Sequence, residues 1–513
     1  MFSKLLSNIG ESLNPVFIKE MRQYFQNRRM IIFMGMLLLV QFICTLFFSS
    51  AMRFSNDDNS SGVGFFLLII FAGAILAVII CAIGAEQRFA EERSDKELNY
   101  AMLTTLRPAS IIMGKLEGAI VMLFCIFSML LPFLTAAYFM RGLSAASLLV
   151  TLCLFPVLVL YSLAGIFAGA FGMKWITGLY FVGIFGSMVF LMPFAFSIVD
   201  DLMNRSDLGT EFWVGILIEY KLAFLLGVMI FLLALAVVSP PKSNRFCAAK
   251  AYIFALPAIA LVLMIPYYLI FGGSGTSYDR DFFYVIEFIF CVFSFGIMTL
   301  VAVCEPPVNS MRVFMKCPRN VLGRVLHFLF SSGFAGTVLL TIPILALPAL
   351  LIPFAGLDWS GTTTAYGILS ILVSFLGFAL LSLNLGLRTK LRFPPLGWLI
   401  ILEVGANILT WIPAAIMDLI PDSITGFSLK GIPGPVRLLS MVFSHIYCLV
   451  ETINAPSSIS TASATLPVHA LMVSSGITFI LFLCLLPLIV KAFRQHRYPD
   501  VTVKPPTKEM LGK

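Results

Sequence analysis

The sequence predicts an all-α polytopic membrane protein of about twelve transmembrane helices, arranged as two six-helix halves with both termini cytoplasmic. Three observations predict it. Of the 513 residues, 59% are hydrophobic and only 12% are charged, against about 25% charged in soluble domains. Apolar runs of roughly 18 residues or more, each long enough to cross a bilayer, recur along the whole length. Finally, Lys and Arg concentrate in alternate loops.

The first run opens near Met30 after a mostly polar lead, residues 1–29. That lead and that apolar core are both too long for a cleaved secretory signal, so the run reads as a retained first span. The spans expected from the apolar runs are 30–50, 63–85, 116–140, 147–170, 176–198, 222–239, 250–271, 283–303, 328–353, 363–386, 397–419 and 469–490. An even number puts both termini on one side, and the positive-inside rule says which. With the N-terminus inside, all of the 34 Lys and Arg are cytoplasmic except Arg53, Arg141, Arg205, Lys221, Arg280, Lys430 and Arg437. The net charge of +8 follows from this asymmetry and does not indicate nucleic-acid binding.

Loop lengths divide the chain into an N-terminal interface helix in 1–29, a first six-helix half over 30–238, a connector over 239–249, a second half over 250–490, and a basic tail over 491–513. Each half carries a larger cytoplasmic loop after its second span (86–115, then 304–327) and an extended outer segment before its sixth (199–221, then 420–468). The role of the second outer segment cannot be read from the sequence. The ten Cys give no disulfide framework and no zinc-ligand spacing.

Within the lead, NPVFIKEMRQYFQNRR places Asn14 as an N-cap and Pro15 at the first helical position. Phe17, Met21, Tyr24 and Phe25 fall on one helical face, with Lys19, Gln23, Gln26 and Asn27 opposite. This predicts an amphipathic helix lying in the cytoplasmic interface. A plain basic flank to the first span is the simpler alternative.

The loop 86–115 changes character along its length. Glu86, Arg88, Glu91, Glu92, Arg93, Asp95, Lys96 and Glu97 crowd together, and mixed charges three and four apart support an exposed helix. Leu98, Met102 and Leu106 then recur at intervals of four, giving a short apolar face. Pro108 is expected to stop that helix and Ser110 to cap the next, with Gly114 and Lys115 leading into the third span. An apolar face directed into water needs a partner, either another protein or the chain's own inner surface.

This loop resembles that of ABC-2 type permeases, the membrane subunits of one class of ABC transporters, and the chain is similar to the long, two-half bacterial members. The ungapped matches to the family pattern are Glu92, Arg93, Leu98, Thr104, Leu106, Pro108, Ile111, Gly114 and Lys115. The departures are Lys96-Glu97, where the family has Gly-Thr, and Thr105, where it often has Pro. The N-terminal helix is also similar to the family's interface helix. The resemblance implies a coupling helix seated in a cleft of a cytoplasmic ABC ATPase, present in two copies and binding the ATP. It implies export across the inner membrane of a bacterium. It makes Glu92, Arg93, Leu98, Met102, Thr104, Leu106, Pro108, Gly114 and Lys115 the docking set.

The chain itself has no G-x-x-x-x-G-K-[ST] phosphate loop, so ATP hydrolysis is expected on the partner and not on this chain. Twelve spans suffice for one chain to serve two ATPase copies; pairing with a second permease chain is the alternative.

Among ionisable residues in the spans, Glu403 is the deepest, with Asn407 one turn on along the same face. A charge there costs on the order of 3 kcal/mol on insertion scales, so the pair is a candidate lining of the substrate path or contact between halves. His327, His445, His469 and His496 form no metal-ligand motif, and no metal is expected. Asp200-Asp201 reads as a solvated outer loop. An ion-driven secondary transporter of six plus six helices is the competing expectation, but the spans are poor in paired mid-bilayer charges. A membrane-embedded transferase would need a clustered acid-base site, and none is apparent. The substrate is not legible.

Overall fold

Long apolar runs become helices because a chain in lipid must satisfy every backbone N–H and C=O within itself. The computed structural model describes residues 14–54, 61–94, 106–139, 145–172, 176–178, 180–184, 186, 210–240, 244–271, 277–305, 311–351, 359–388, 395–406 and 466–496, and among these the regular elements are all helical. Six described helices are long and apolar enough to cross a membrane: Met30–Phe48, Leu68–Arg93, Pro108–Phe139, Ile216–Val238, Ile368–Leu387 and Ala470–Gln495. A bent pair, Val321–Phe330 with Phe334–Leu347, makes a seventh if it is one span. The chain is therefore a multi-pass α-helical membrane protein. It divides into two units, Met1–Pro240 and Pro241–Lys513.

The first unit contains α1 (Pro15–Gln26), α2 (Arg28–Phe54), α3 (Ser61–Ala77), a π turn (Val78–Ile83), α4 (Gly84–Ser94), α5 (Pro108–Phe139), α6 (Ala145–Gly169) and α7 (Thr210–Val238). Helix α3 packs on α5, α6 on α7, and α4 with the π turn on α6. Phe65, Phe66 and Ile69 of α3 interlock with Met122, Leu123 and Ile126 of α5 to form the core. Helix α2 is apolar but shows much of its surface, with Phe47 68% exposed, which is what lipid contact requires.

Two sequence expectations are corrected here. The charged stretch from Glu86 is not an exposed helix in a loop. It continues the second span through the π turn to Ser94, with Glu86 and Phe89 fully buried. The reason is close contact with α6: a Cβ at Gly165 would lie 2.3 Å from the Ala82 carbonyl oxygen, and one at Gly169 would lie 2.5 Å from that of Glu86. The missing side chains let α4 seat where a charged helix would otherwise leave for water.

Ser110 likewise does not cap the helix of the third span, and the helix expected to end at Pro108 falls on residues 95–105, outside the described residues. Pro108 opens α5, and the Arg107 carbonyl accepts from the backbone N–H groups of Ser110 and Ile111. Proline suits a first helical position, where its absent N–H would have no partner.

The second unit contains α8 (Cys247–Phe271), α9 (Ser277–Cys304), a single turn α10 (Met311–Phe314), α11 (Val321–Phe330), α12 (Phe334–Leu351), α13 (Trp359–Arg388), α14 (Pro395–Ala406) and α15 (Leu466–Gln495). Helix α13 packs on α15, and α9 packs on α8 and α12. The run expected as a span from residue 328 is broken after Phe330. There α11 and α12 meet at 91°. Gly333, at φ 150°, takes the sharp bend that a residue with a Cβ rarely adopts. Of the expected outer segments, 199–221 and 420–468, residues 199–209 and 420–465 lie outside the described residues, while 210–221 and 466–468 belong to α7 and α15.

Candidate functional site

The site is built where α1 meets the ends of α4 and α5. Asn14 caps α1 by accepting from the Val16 N–H at 3.1 Å, and its amide nitrogen donates to the Ser110 carbonyl at 2.6 Å. Gly114 makes this contact possible. A Cβ there would lie 2.8 Å from Val16 Cβ and 2.9 Å from the Phe17 backbone nitrogen, so α1 rests directly on the first turns of α5.

The buried face of α1 differs from the one expected. Tyr24 is buried and Phe17 and Met21 are half-buried, but Phe25 is 55% exposed. Glu20 takes the place Phe25 was expected to hold, at 2% exposed. The cause is Lys115, which α5 presents to that face. Its ammonium pairs with Glu20 Oε1 and, at 2.9 Å, with Glu92 Oε2. Lys19 bridges to the other Glu92 oxygen at 2.8 Å. Arg88 stacks 3.6 Å over the Tyr24 ring, with its Nε 3.8 Å from Glu20 Oε2. Three cations and two carboxylates from α1, α4 and α5 thus form one lattice.

These positions bear directly on the expected docking set. Glu92, Gly114 and Lys115 face this internal lattice and α1, not outward. Arg93 lies against Gly172, just past α6. Pro108 and Leu106 are half-buried at the start of α5. Leu98, Met102 and Thr104 lie outside the described residues, as does Asn407, while Glu403 is half-buried on α14. The chemistry of the described part is mechanical: it locks three helix ends together around residues 95–105.

No family model, curated protein or solved structure matches this chain.

The second unit holds two polar centres that sequence spacing did not reveal. The side chains of Lys250 and Glu305 are completely buried and pair at 2.7 Å. Lys250 also donates to the Ser331 carbonyl at 2.6 Å, and Thr337 donates to Glu305. Asn244 accepts from the Ser332 N–H at 2.7 Å. Together these groups hold the start of α8 and the end of α9 to the break between α11 and α12. The only hint in the sequence was a lysine four residues into an apolar helix.

The other centre lies at the far end of α15. Arg324 of α11 donates from Nε to the His496 carbonyl at 2.7 Å and from its terminal nitrogen to that of Phe493 at 2.9 Å. His327 Nδ1 and His496 Nε2 lie 2.8 Å apart. Cys317 completes a group of three whose ligand atoms all fall within 4.8 Å of one another. Burial, with help from the His327 and Arg324 side chains, lowers His496 to about 4, so its ring is neutral at physiological pH.

A cavity of about 440 Å³ between α5, α6 and α7 is lined by residues such as Ile120, Phe155, Leu160, Phe224 and Phe231. It carries no charged side chain and suits only an apolar occupant such as an acyl chain.

Proposed function

We propose that this chain is the permease subunit of an ATP-driven ABC-2 type exporter in the inner membrane of a bacterium. In this reading twelve helices form two halves with both termini cytoplasmic, and a separate ABC ATPase, in two copies, docks on the loop around residues 95–105. The carrying observation is the lattice of Lys19, Glu20, Glu92 and Lys115, which ties both ends of that loop to α1. A push on the loop would pass into α4, α5 and α1 together, because none can shift without breaking a buried ion pair. The sequence pattern from Glu92 to Lys115 supports the same reading. Glu92, Gly114 and Lys115 then act as the rigid seat of the docking element, and Leu98, Met102 and Leu106 as its contact face.

The test is gentle isolation from native membranes followed by identification of what accompanies the chain. A stoichiometric cytoplasmic ATPase is the expected result. Isolation without one, at low salt and after crosslinking, would overturn the proposal.

The buried Lys250–Glu305 pair favours a second reading, an ion-driven secondary transporter, because ionisable residues buried within a membrane protein suit a proton relay. Transport that continues without ATP and stops when the proton gradient collapses would establish it.

A further inference from the structure

We propose that Cys317, His327 and His496 form a binding site for one soft transition-metal ion, with Zn²⁺ as the probe, closing the end of α15 onto α11. The three residues come from separate places: the turn after α10, the middle of α11, and the residue following α15. Their ligand atoms converge within 4.8 Å. One thiol and two imidazoles, with no carboxylate in the group, form a donor set that selects zinc or cuprous ion over magnesium or calcium.

The surroundings are those of a built site. Cys317 is 4% exposed and His496 1%. The rings of Phe314 and Phe328 pack edge-on against His496. His496 Nδ1 is buried with no hydrogen-bond partner among the described residues, although its other nitrogen meets His327. A buried ring nitrogen without a partner is costly; a metal held at Nε2 leaves Nδ1 as it is, so the case for the ion rests on the converging donor set.

Two features oppose the ion, and both can be met. Arg324 puts a positive charge nearby, but its guanidinium is engaged by two backbone carbonyls; burial raises the Cys317 thiol, and the Arg324 charge only partly opposes that rise. The two ring nitrogens now lie 2.8 Å apart in a hydrogen bond. A tetrahedral zinc ion would hold them about 3.3 Å apart, so the rings must separate by roughly 0.5 Å as the hydrogen bond gives way to two metal bonds. Three protein ligands leave the fourth position to water.

Bound metal would staple the segment after α15 to the bent α11–α12 element. This inference is independent of any ATPase partner.

The experiment uses the full chain in detergent, stripped with chelator and titrated with Co²⁺. One equivalent should bind, giving a thiolate-to-cobalt charge-transfer band and the strong visible bands of tetrahedral cobalt, and Zn²⁺ should displace it stoichiometrically. Cys317→Ser should abolish the charge-transfer band, and His327→Gln should weaken Zn²⁺ binding by at least about 100-fold. No charge-transfer band, or a band that survives Cys317→Ser, would overturn the proposal. Should neither variant fold, X-ray absorption on the zinc-loaded native chain decides: one sulfur and two imidazoles support the site, and any other first shell rejects it.

Discussion

Lys115 of α5 and Glu20 of α1 meet in an ion pair in which each side chain is only 3% exposed. Ninety-five positions apart in sequence, they join the N-terminal helix to the third span. Glu92 extends the pair to the second span. In water such a pair would contribute little, but buried it becomes an all-or-none constraint: removing one partner strands the other charge.

Lys115→Met should therefore destabilise the first unit by about 3–5 kcal/mol. The double variant Lys115→Met with Glu20→Met should recover part of that loss: neither charge of the pair is left behind, while Arg88 loses Glu20 and Glu92 keeps Lys19. Thermal unfolding in detergent of the two single variants and the double variant reads this coupling. Strictly additive losses would show that the pair does not hold α1 in place.

At Gly114 the constraint is steric. A valine there meets the α1 backbone at Phe17 as well as Val16 and Asn14 Nδ2, and backbone cannot swing aside as a flexible side chain can. Gly114→Val should lift α1 from α5 and cost about 1–3 kcal/mol, within the range for overpacking. Limited proteolysis should then cut within α1 in the variant and spare it in the native chain. Equal protection of both would count against the contact.

In the second unit, Lys250→Leu takes the paired ammonium from buried Glu305, leaving it the Thr337 hydroxyl as a donor and the more distant charge of Arg245. It should cost about 3–5 kcal/mol. Thr337→Val removes a single hydrogen bond and should cost about 1 kcal/mol. Melting temperatures should fall in that order, and a larger fall for Thr337→Val would mean that the ion pair is not what fixes the break at Gly333.

Much of the fold was legible because the membrane imposes simple rules. Length and apolarity located helices such as α2, α5, α13 and α15, and Asn14-Pro15 marked the start of α1. What failed was the reading of charge. Glu86 to Arg93 looked like a solvated loop helix, yet that stretch is the end of a span, since Gly165 and Gly169 on another helix admit its backbone. Phe25 was expected on the buried face of α1, yet it is exposed and Glu20 faces inward because Lys115 waits there. Local periodicity cannot report a partner of opposite charge on a distant helix. The same limit hid Cys317, His327 and His496: His496 follows His327 by 169 positions, and no spacing rule spans that interval.

The central claim is that the loop between α4 and α5 receives a force from a cytoplasmic ATPase and that the ion-pair lattice passes it on. The most direct measurement is ATPase co-isolation with Leu98→Asp and Leu106→Asp variants, each checked for an unchanged melting temperature. A stoichiometric ATPase with the native chain, lost from both variants, is the expected result. An ATPase that never accompanies the native chain, or one retained at native stoichiometry by both variants, would contradict it.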